Sequence, residues 1–421
     1  MWGVAYAHAT LVSAEPAAGS HLAASPSRVR LVFSEPLEPA LARVALVDGR
    51  KNVTSLAVAS DPHDVHALIA PVGALADGAY RVVWRVVSAD GHPVGGSLAF
   101  WVGAGQTAAA PGVPAELDAP PTWGPAIVGA PAIPALLRGL GLGSLMSLAG
   151  LLFFLSWPGE PQRRRTPRIA IALAVSAALL LALHTLAWTM NASPDHSLTG
   201  GGAAAVLSSH VGRAELWRAG LALLALWALW LAGRETLALL FAVAALLVSG
   251  ASGHSAAMHP MWAIPAKAIH LLAGAAWLGG LVFLVARARE RDADAEGGFA
   301  RDAQRVSAVA LIAATLVVLS GAAQALLFLP SPLDLFRSTY GAITLAKVLG
   351  FLVLIAFGAY HRYRVLPRIS VGGAMVTRFT GSLRAEIALI AIVALLGGLL
   401  AYVSPPHHEM ADMPSMHSHP E

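Results

Sequence analysis

From residue 131 to residue 403 the chain is a succession of apolar runs about 20 residues long, divided by short polar or basic connections. As helices, runs of that length cross a hydrocarbon layer ~30 Å thick, where only helices and closed barrels satisfy their own backbone groups. The pattern predicts spans near 134–156, 168–190, 214–232, 236–252, 264–286, 306–329, 341–362 and 383–403, about eight transmembrane helices in an all-α polytopic domain. Composition agrees: 56% of residues are hydrophobic and only 12% charged, beyond what soluble domains carry. Alternate connections hold Arg163, Arg164, Arg165 and Arg168, then Arg234, then Arg287, Arg289, Arg291, Arg301 and Arg305, then Arg362, Arg364 and Arg368. The positive-inside rule makes these cytoplasmic, and an even number of spans then places both chain ends outside. The arginines lie between spans and not along one face, so a pI near 9.7 does not signal nucleic acid. Cysteine is absent, which excludes disulfides and thiolate metal sites.

Residues 8–104 follow a different period. Val29, Leu31 and Phe33 alternate with Arg28, Arg30 and Val32, and Tyr80, Val82, Trp84 and Val86 alternate with Arg81, Val83, Arg85 and Val87. Turn signals at Asp48-Gly49, Asp77-Gly78 and Asp90-Gly91 separate the runs, predicting an all-β sandwich or barrel. Residues 105–130 are rich in Ala, Pro and Gly and read as a linker, and residues 404–421 form a His/Met-rich tail.

Within the β-domain, WRVVSADGHPVGG (Trp84–Gly96) sets Asp90 and His92 one residue apart, so both side chains can converge on one face of a loop. Asp-Gly-His is also an ordinary turn sequence. Its partner is His8: Ala5-Tyr6-Ala7 has the small-x-small form cut by signal peptidase, which makes residues 1–7 a residual signal peptide and His8 a mature amino terminus. An amine and an imidazole on one residue chelate Cu(II), and Asp90 with His92 would complete a roughly square-planar set. His63 and His66 read as solvated loop residues, and His21 as surface.

His8-Ala9, LVSAEPAAGS (Leu11–Ser20), RVRLVFSEPL (Arg28–Leu37) and WRVVSADGHPVGG followed by LAFWV resemble the periplasmic copper-binding family CopC. The resemblance implies a Greek-key, Ig-like or cupredoxin-like β-fold, with Cu(II) held on His8, Asp90 and His92. Glu35 in FSEP matches a carboxylate near the metal in some relatives and ranks second. No methionine occurs between His8 and Val102, so the Met-rich Cu(I) loop of some relatives is missing.

Histidine and methionine recur together at the outer ends of the spans. SGASGHSAAMHPMW (Ser249–Trp262) contains His254, Met258, His259 and Met261, with His254 and Met258 at helical i, i+4 spacing. His184 and His270 fall inside spans, where ionisable residues face a bundle interior or a cavity. A helix–helix hydrogen bond accounts equally well for each. Met146 and Met190 are further candidates for the same path, and Lys267 and Lys347 near span ends read as snorkelling cations. The tail offers His407, His408, Met410, Met413, Met416, His417 and His419 for unspecific copper capture.

GHSAAMH, HLLAGAAWLGGL, RVSAVALIAATLVVLSGAAQA, STYGAITLAKVLGFLVLIAFGAYHRY and AEIALIAIVALLGGLL, between Leu136 and Tyr402, are similar to the copper-resistance membrane family CopD. Together the resemblances imply a CopC–CopD fusion in a bacterial cytoplasmic membrane, not an enzyme. It would bind copper outside, received from a periplasmic donor, and conduct it across the bilayer as Cu(I) or Cu(II), generally inward. Three alternatives use the same residues: a copper-dependent oxidoreductase at the terminal histidine, a haem-binding electron carrier through His184, His270 and His361, and sequestration without transport. No Walker A pattern is present, so this chain hydrolyses no ATP for transport.

Overall fold

The fold was obtained as a computed structural model, which describes residues 9–103, 109–114, 126–127, 130–157, 166–193, 200–257, 259–289, 298–371, 373–403 and 405–406. His8, Met258, Arg163, Arg164, Arg165, Arg291 and the tail residues from His407 onward lie outside them.

The β-domain has nine strands, β1 (Leu11–Glu15), β2 (His21–Leu22), β3 (Arg28–Phe33), β4 (Arg43–Asp48), β5 (Val53–Leu56), β6 (Ala59–Asp61), β7 (Asp64–Pro71), β8 (Gly78–Val87) and β9 (Pro93–Val102). They form two sheets, β1-β3-β7-β6 and β2-β9-β8-β4-β5. Alternation builds the core between them: Val29, Leu31 and Phe33 from one sheet meet Val82, Trp84, Val86 and Phe100 from the other. Strands β8 and β9 pair antiparallel from Gly78↔Val102 to Val87↔Pro93, which leaves Ser88–His92 as the turn at their end.

The second face of β8 departs from the expected pattern. Val83 and Val87, expected to point away from the core, are buried, and Val87 packs with Leu41, Trp188, Ala192, Val206 and Val211. The helical domain covers the Arg85–Val87 end of this face, which Arg81 and Arg85 share with the two valines.

The helices are α1 (Ala132–Leu155), α2 (Thr166–Ala192), α3 (Gly201–Ser208), α4 (His210–Trp230), α5 (Glu235–Gly250), α6 (His254–Ala257), α7 (Pro260–Arg289), α8 (Gly298–Phe328), α9 (Asp334–Arg337), α10 (Thr339–Tyr360) and α11 (Gly373–Leu400). Every apolar run singled out in the sequence is helical. Among the described residues six helices, α1, α2, α7, α8, α10 and α11, are long and apolar enough to cross a membrane. The other two of the eight runs differ for stated reasons: α4 carries Arg213, Glu215 and Arg218 within its length, and α5 has 16 residues. Helices α1 and α7 touch backbone to backbone at Gly150 and Gly279, where a Cβ on Gly150 would lie 2.8 Å from the Gly279 Cα.

The β-domain is seated on the bundle through its β8–β9 end. Trp188 Nε1 donates to Gly91 O at 2.9 Å, and Arg85 Nη2 donates to Asn191 O at 2.6 Å. The Glu38 carboxylate accepts from the backbone N–H groups of His210 and Val211 at 3.0 and 3.2 Å, capping α4 where the helix dipole favours an anion.

Candidate metal centre

The turn Ser88–His92 is fixed before any metal is considered. Gly91 N donates to Ser88 O and Ser88 N to His92 O, at 2.8 and 3.0 Å. Asp90 Oδ1 is consumed within the turn, accepting from the Ser88 hydroxyl and from His92 N. Its other oxygen, Oδ2, is thereby aimed outward at two imidazoles.

One belongs to the same turn: His92 Nδ1 lies 2.8 Å from Asp90 Oδ2. The other comes from the helical domain, where Gly253, with φ of +71°, turns the chain into α6 and presents His254 Nε2 at 3.2 Å from the same oxygen. Asp90 Oδ2 and His254 Nε2 do not meet in hydrogen-bond geometry. Ligand atoms from Asp90, His92 and His254 all lie within 4.8 Å of one another, the one such triplet of His, Asp or Glu side chains among the described residues. All three residues are buried, at 6%, 5% and 7% exposure. Glu35, also buried, lies close enough for its charge to raise the His92 pKa.

Electrostatics set the protonation states. Burial acts to raise the Asp90 carboxyl, but the facing imidazoles of His92 and His254 and the Ser88 hydroxyl hold it well below the usual carboxylate range. Burial acts to lower His92, and Asp90 outweighs it, so this imidazole titrates above its ordinary value. Burial pushes His254 down to about 3, Asp90 opposing and the charges of His92, Lys267 and Arg138 adding. An ionised carboxylate and a neutral imidazole are the forms that coordinate a metal ion, and His92 joins them on releasing one proton.

His254 also lines a cavity of about 200 Å³ inside the bundle, together with Arg138, Met146, Lys267, His270 and Trp277. His270 is held by Ser320 Oγ at 3.1 Å. Lys267 donates to Ser252 O at 2.6 Å, and it and Lys347 turn into the cavity. Lys267 is thus held by a carbonyl inside the bundle, and Lys347 lines the same cavity, where the sequence led us to expect both to snorkel. His184 is not brought to the cavity. Its Nε2 is 2.6 Å from Tyr402 Oη, and its Nδ1 is 3.1 Å from Glu215 Oε2 and 3.0 Å from Arg218 Nη2. These are helix–helix contacts of the kind the sequence offered as the alternative for this residue. Met261 and His259 are exposed, while Met190 is absent from the cavity lining and Met146 is in it.

Glu215 and Arg218 belong to no quoted motif, Glu386 falls in the stretch AEIALIAIVALLGGLL without being singled out there, and each is buried. Their signal in the sequence is simply a charge inside an apolar run, which membrane proteins keep for an interior role.

A two-sheet domain whose terminal turn meets a histidine of a multi-pass helical bundle defines a membrane protein with a metal-handling β-module. Family models agree, segment by segment: a CopC domain matches residues 11–103, the N-terminal domain of a copper resistance protein D-like family matches 130–264, and copper resistance protein D matches 300–400. The chain belongs to the copper resistance and transport family that joins CopC and CopD domains in one polypeptide. It is 25% identical over 432 aligned positions to the copper transport protein CutJ of Bacillus subtilis, covering 95% of this chain and 75% of that protein. It is 36% identical to copper resistance protein C of Pseudomonas syringae pv. tomato, covering 24% of this chain and 83% of the relative. Among solved structures, CopC of Methylosinus trichosporium OB3b is similar at 33% identity over 24% of this chain and all of that one, with a TM-score of 0.23 over the whole chain. The curated relatives are named for copper transport and resistance, or by protein name alone, and none for a catalysed reaction.

Proposed function

We propose that this protein captures Cu(II) on the extracytoplasmic side through His8, Asp90 and His92, and passes it inward through His254 into the bundle cavity. Glu35 sits behind the set as an additional carboxylate, and His270 is the next imidazole along the cavity. In this reading all eight apolar runs cross the bacterial inner membrane, both chain ends face outside, and the tail histidines and methionines, with His259, Met258 and Met261, gather copper on that side. The observation that carries the reading is the 3.2 Å separation of His254 and Asp90, which puts a bundle histidine within ligand reach of the CopC-type pair. An ion held there exchanges between domains by replacing one imidazole with another, without dissociating into water.

The test is copper accumulation in cells carrying the wild type, His92→Ala or His254→Ala. Uptake should fall to the background of cells lacking the protein in both variants. Unchanged uptake in both would exclude the conduit, and normal copper binding with no uptake even in wild type would identify sequestration.

A further inference from the structure

A second pair of ligand atoms faces itself at the other end of the bundle. Glu386 lies on α11, fourteen residues before the helix ends at Leu400, about 21 Å at 1.5 Å per residue. It is 1% exposed. Trp277 Nε1 donates to its Oε1 at 3.1 Å, while Oε2 lies 3.2 Å from His361 Nδ1 and makes no hydrogen bond. His361 opens a π turn that follows α10, a distortion that proteins concentrate at functional positions.

The tautomer of His361 follows from its other neighbour. Ser382 Oγ has one hydrogen, which it gives to Phe379 O at 2.8 Å. Toward His361 Nε2, also at 2.8 Å, it must accept. With the hydroxyl hydrogen on Phe379 O, the Nε2 atom carries the ring hydrogen, and Nδ1 is left as an acceptor 3.2 Å from Glu386 Oε2. Two buried acceptors confronting one another repel unless a cation lies between them. The pair opens on a cavity of about 230 Å³ lined also by Arg362, whose guanidinium is drawn off to Ser307 Oγ at 3.1 Å. Trp277 lines both this cavity and the one beneath His254, and its indole anchors Glu386.

We infer that Glu386 Oε2 and His361 Nδ1 form a second copper site, beyond Trp277, that receives the ion in the cupric state. The inference rests on the conduit reading above. Imidazole nitrogen with carboxylate oxygen repeats the donor types of Asp90, His92 and His254 and contains no thioether, a set suited to Cu(II) more than to Cu(I). Like donors at both ends let the ion cross without a change of oxidation state, so the chain needs no reductant.

The experiment is Cu(II) titration of the purified full-length protein in detergent, read by electron paramagnetic resonance. H92A should keep a cupric signal that the double variant H92A/E386Q lacks, and the double variant should bind one equivalent fewer. E386Q and H361Q alone should each lose that same equivalent and retain the signal that H92A removes, which shows that they fold. Identical signals and stoichiometry for H92A and H92A/E386Q overturn the inference and indicate that the pair holds only a proton. Should H92A leave the wild-type signals unaltered, the outer site fails instead, a result independent of Glu386.

Discussion

His254 Nε2, carried by the helical domain, lies 3.2 Å from Oδ2 of Asp90, the oxygen that His92 Nδ1 of the β8–β9 turn also faces. A copper ion bound there would be ligated from both domains at once, so removing the bundle's ligand should weaken a site that is otherwise part of the β-domain. His254→Ala is expected to lower the Cu(II) affinity of the full chain at least tenfold, about 1.4 kcal/mol, with one nitrogen coupling lost from the cupric spectrum. Competition titration against a chelator of known affinity measures the first and pulsed resonance the second.

The turn itself is held against the bundle by the absence of a side chain. Gly91 has φ of +96°, and a Cβ there would come within 2.9 Å of Val211 Cγ1, beside the Trp188 indole that donates to Gly91 O. Gly91→Ala combines a left-handed backbone cost of about 1 kcal/mol with a clash that pushes the turn off α4. The expected outcome is a folded protein with Asp90 and His92 separated from His254, giving the cupric spectrum and the reduced affinity of His254→Ala. Comparing the two spectra checks it.

How much of this was legible in the sequence depends on the distance over which a residue acts. Alternation in Arg28–Phe33 exposed the sandwich because each strand's inner face is decided locally, and Asp90 with His92 were legible as a pair because one turn carries both. Val87 misled because its partners Trp188 and Val211 belong to another domain. The meeting of His254 with Asp90 was likewise hidden, since no spacing encodes a contact between separate domains. Lys267 and Lys347 read as snorkelling because cations near span ends often reach water, whereas here a carbonyl of Ser252 lies inward. Glu386 lay in the CopD-like stretch AEIALIAIVALLGGLL and stood out only as a charge in an apolar run; its neighbours Trp277 and His361 come from other segments.

Acid stability of the β-domain should depend on Asp61. Arg30 Nε donates to Asp61 Oδ2 at 2.8 Å and its Nη2 to Asp64 Oδ2 at 3.1 Å. The Arg30 hydrogen bond, with that from His63 N, holds the Asp61 carboxyl below its ordinary value. A carboxyl depressed in the folded state binds its proton more readily when unfolded, so its stabilisation is present above the unfolded value near 3.9 and is lost as pH falls through the folded one. Asp61→Asn should therefore lower the β-domain melting temperature at pH 7 and have a smaller effect at pH 3. Calorimetry of the full chain at both pH values measures the difference.

Glu215 supplies the clearest separation of structure from copper chemistry. Its carboxylate is buried and shared by Arg138 at 3.4 Å, by Arg218, and by His184 at 3.1 Å. Arg218 is itself fully buried, so Glu215→Gln leaves two guanidinium groups inside the bundle without the anion that balances them. Breaking a buried pair by removing one partner typically costs 3–5 kcal/mol, because the remaining charge can neither return to water nor find another counter-ion. The variant should melt well below the wild type in detergent. If His184, Glu215 and Arg218 are the scaffold that the hydrogen bonds indicate, the protein that remains folded at low temperature should bind Cu(II) with wild-type stoichiometry. Thermal unfolding and titration on the same preparation check both halves, and the loss of a copper equivalent would return His184 to the conduction path.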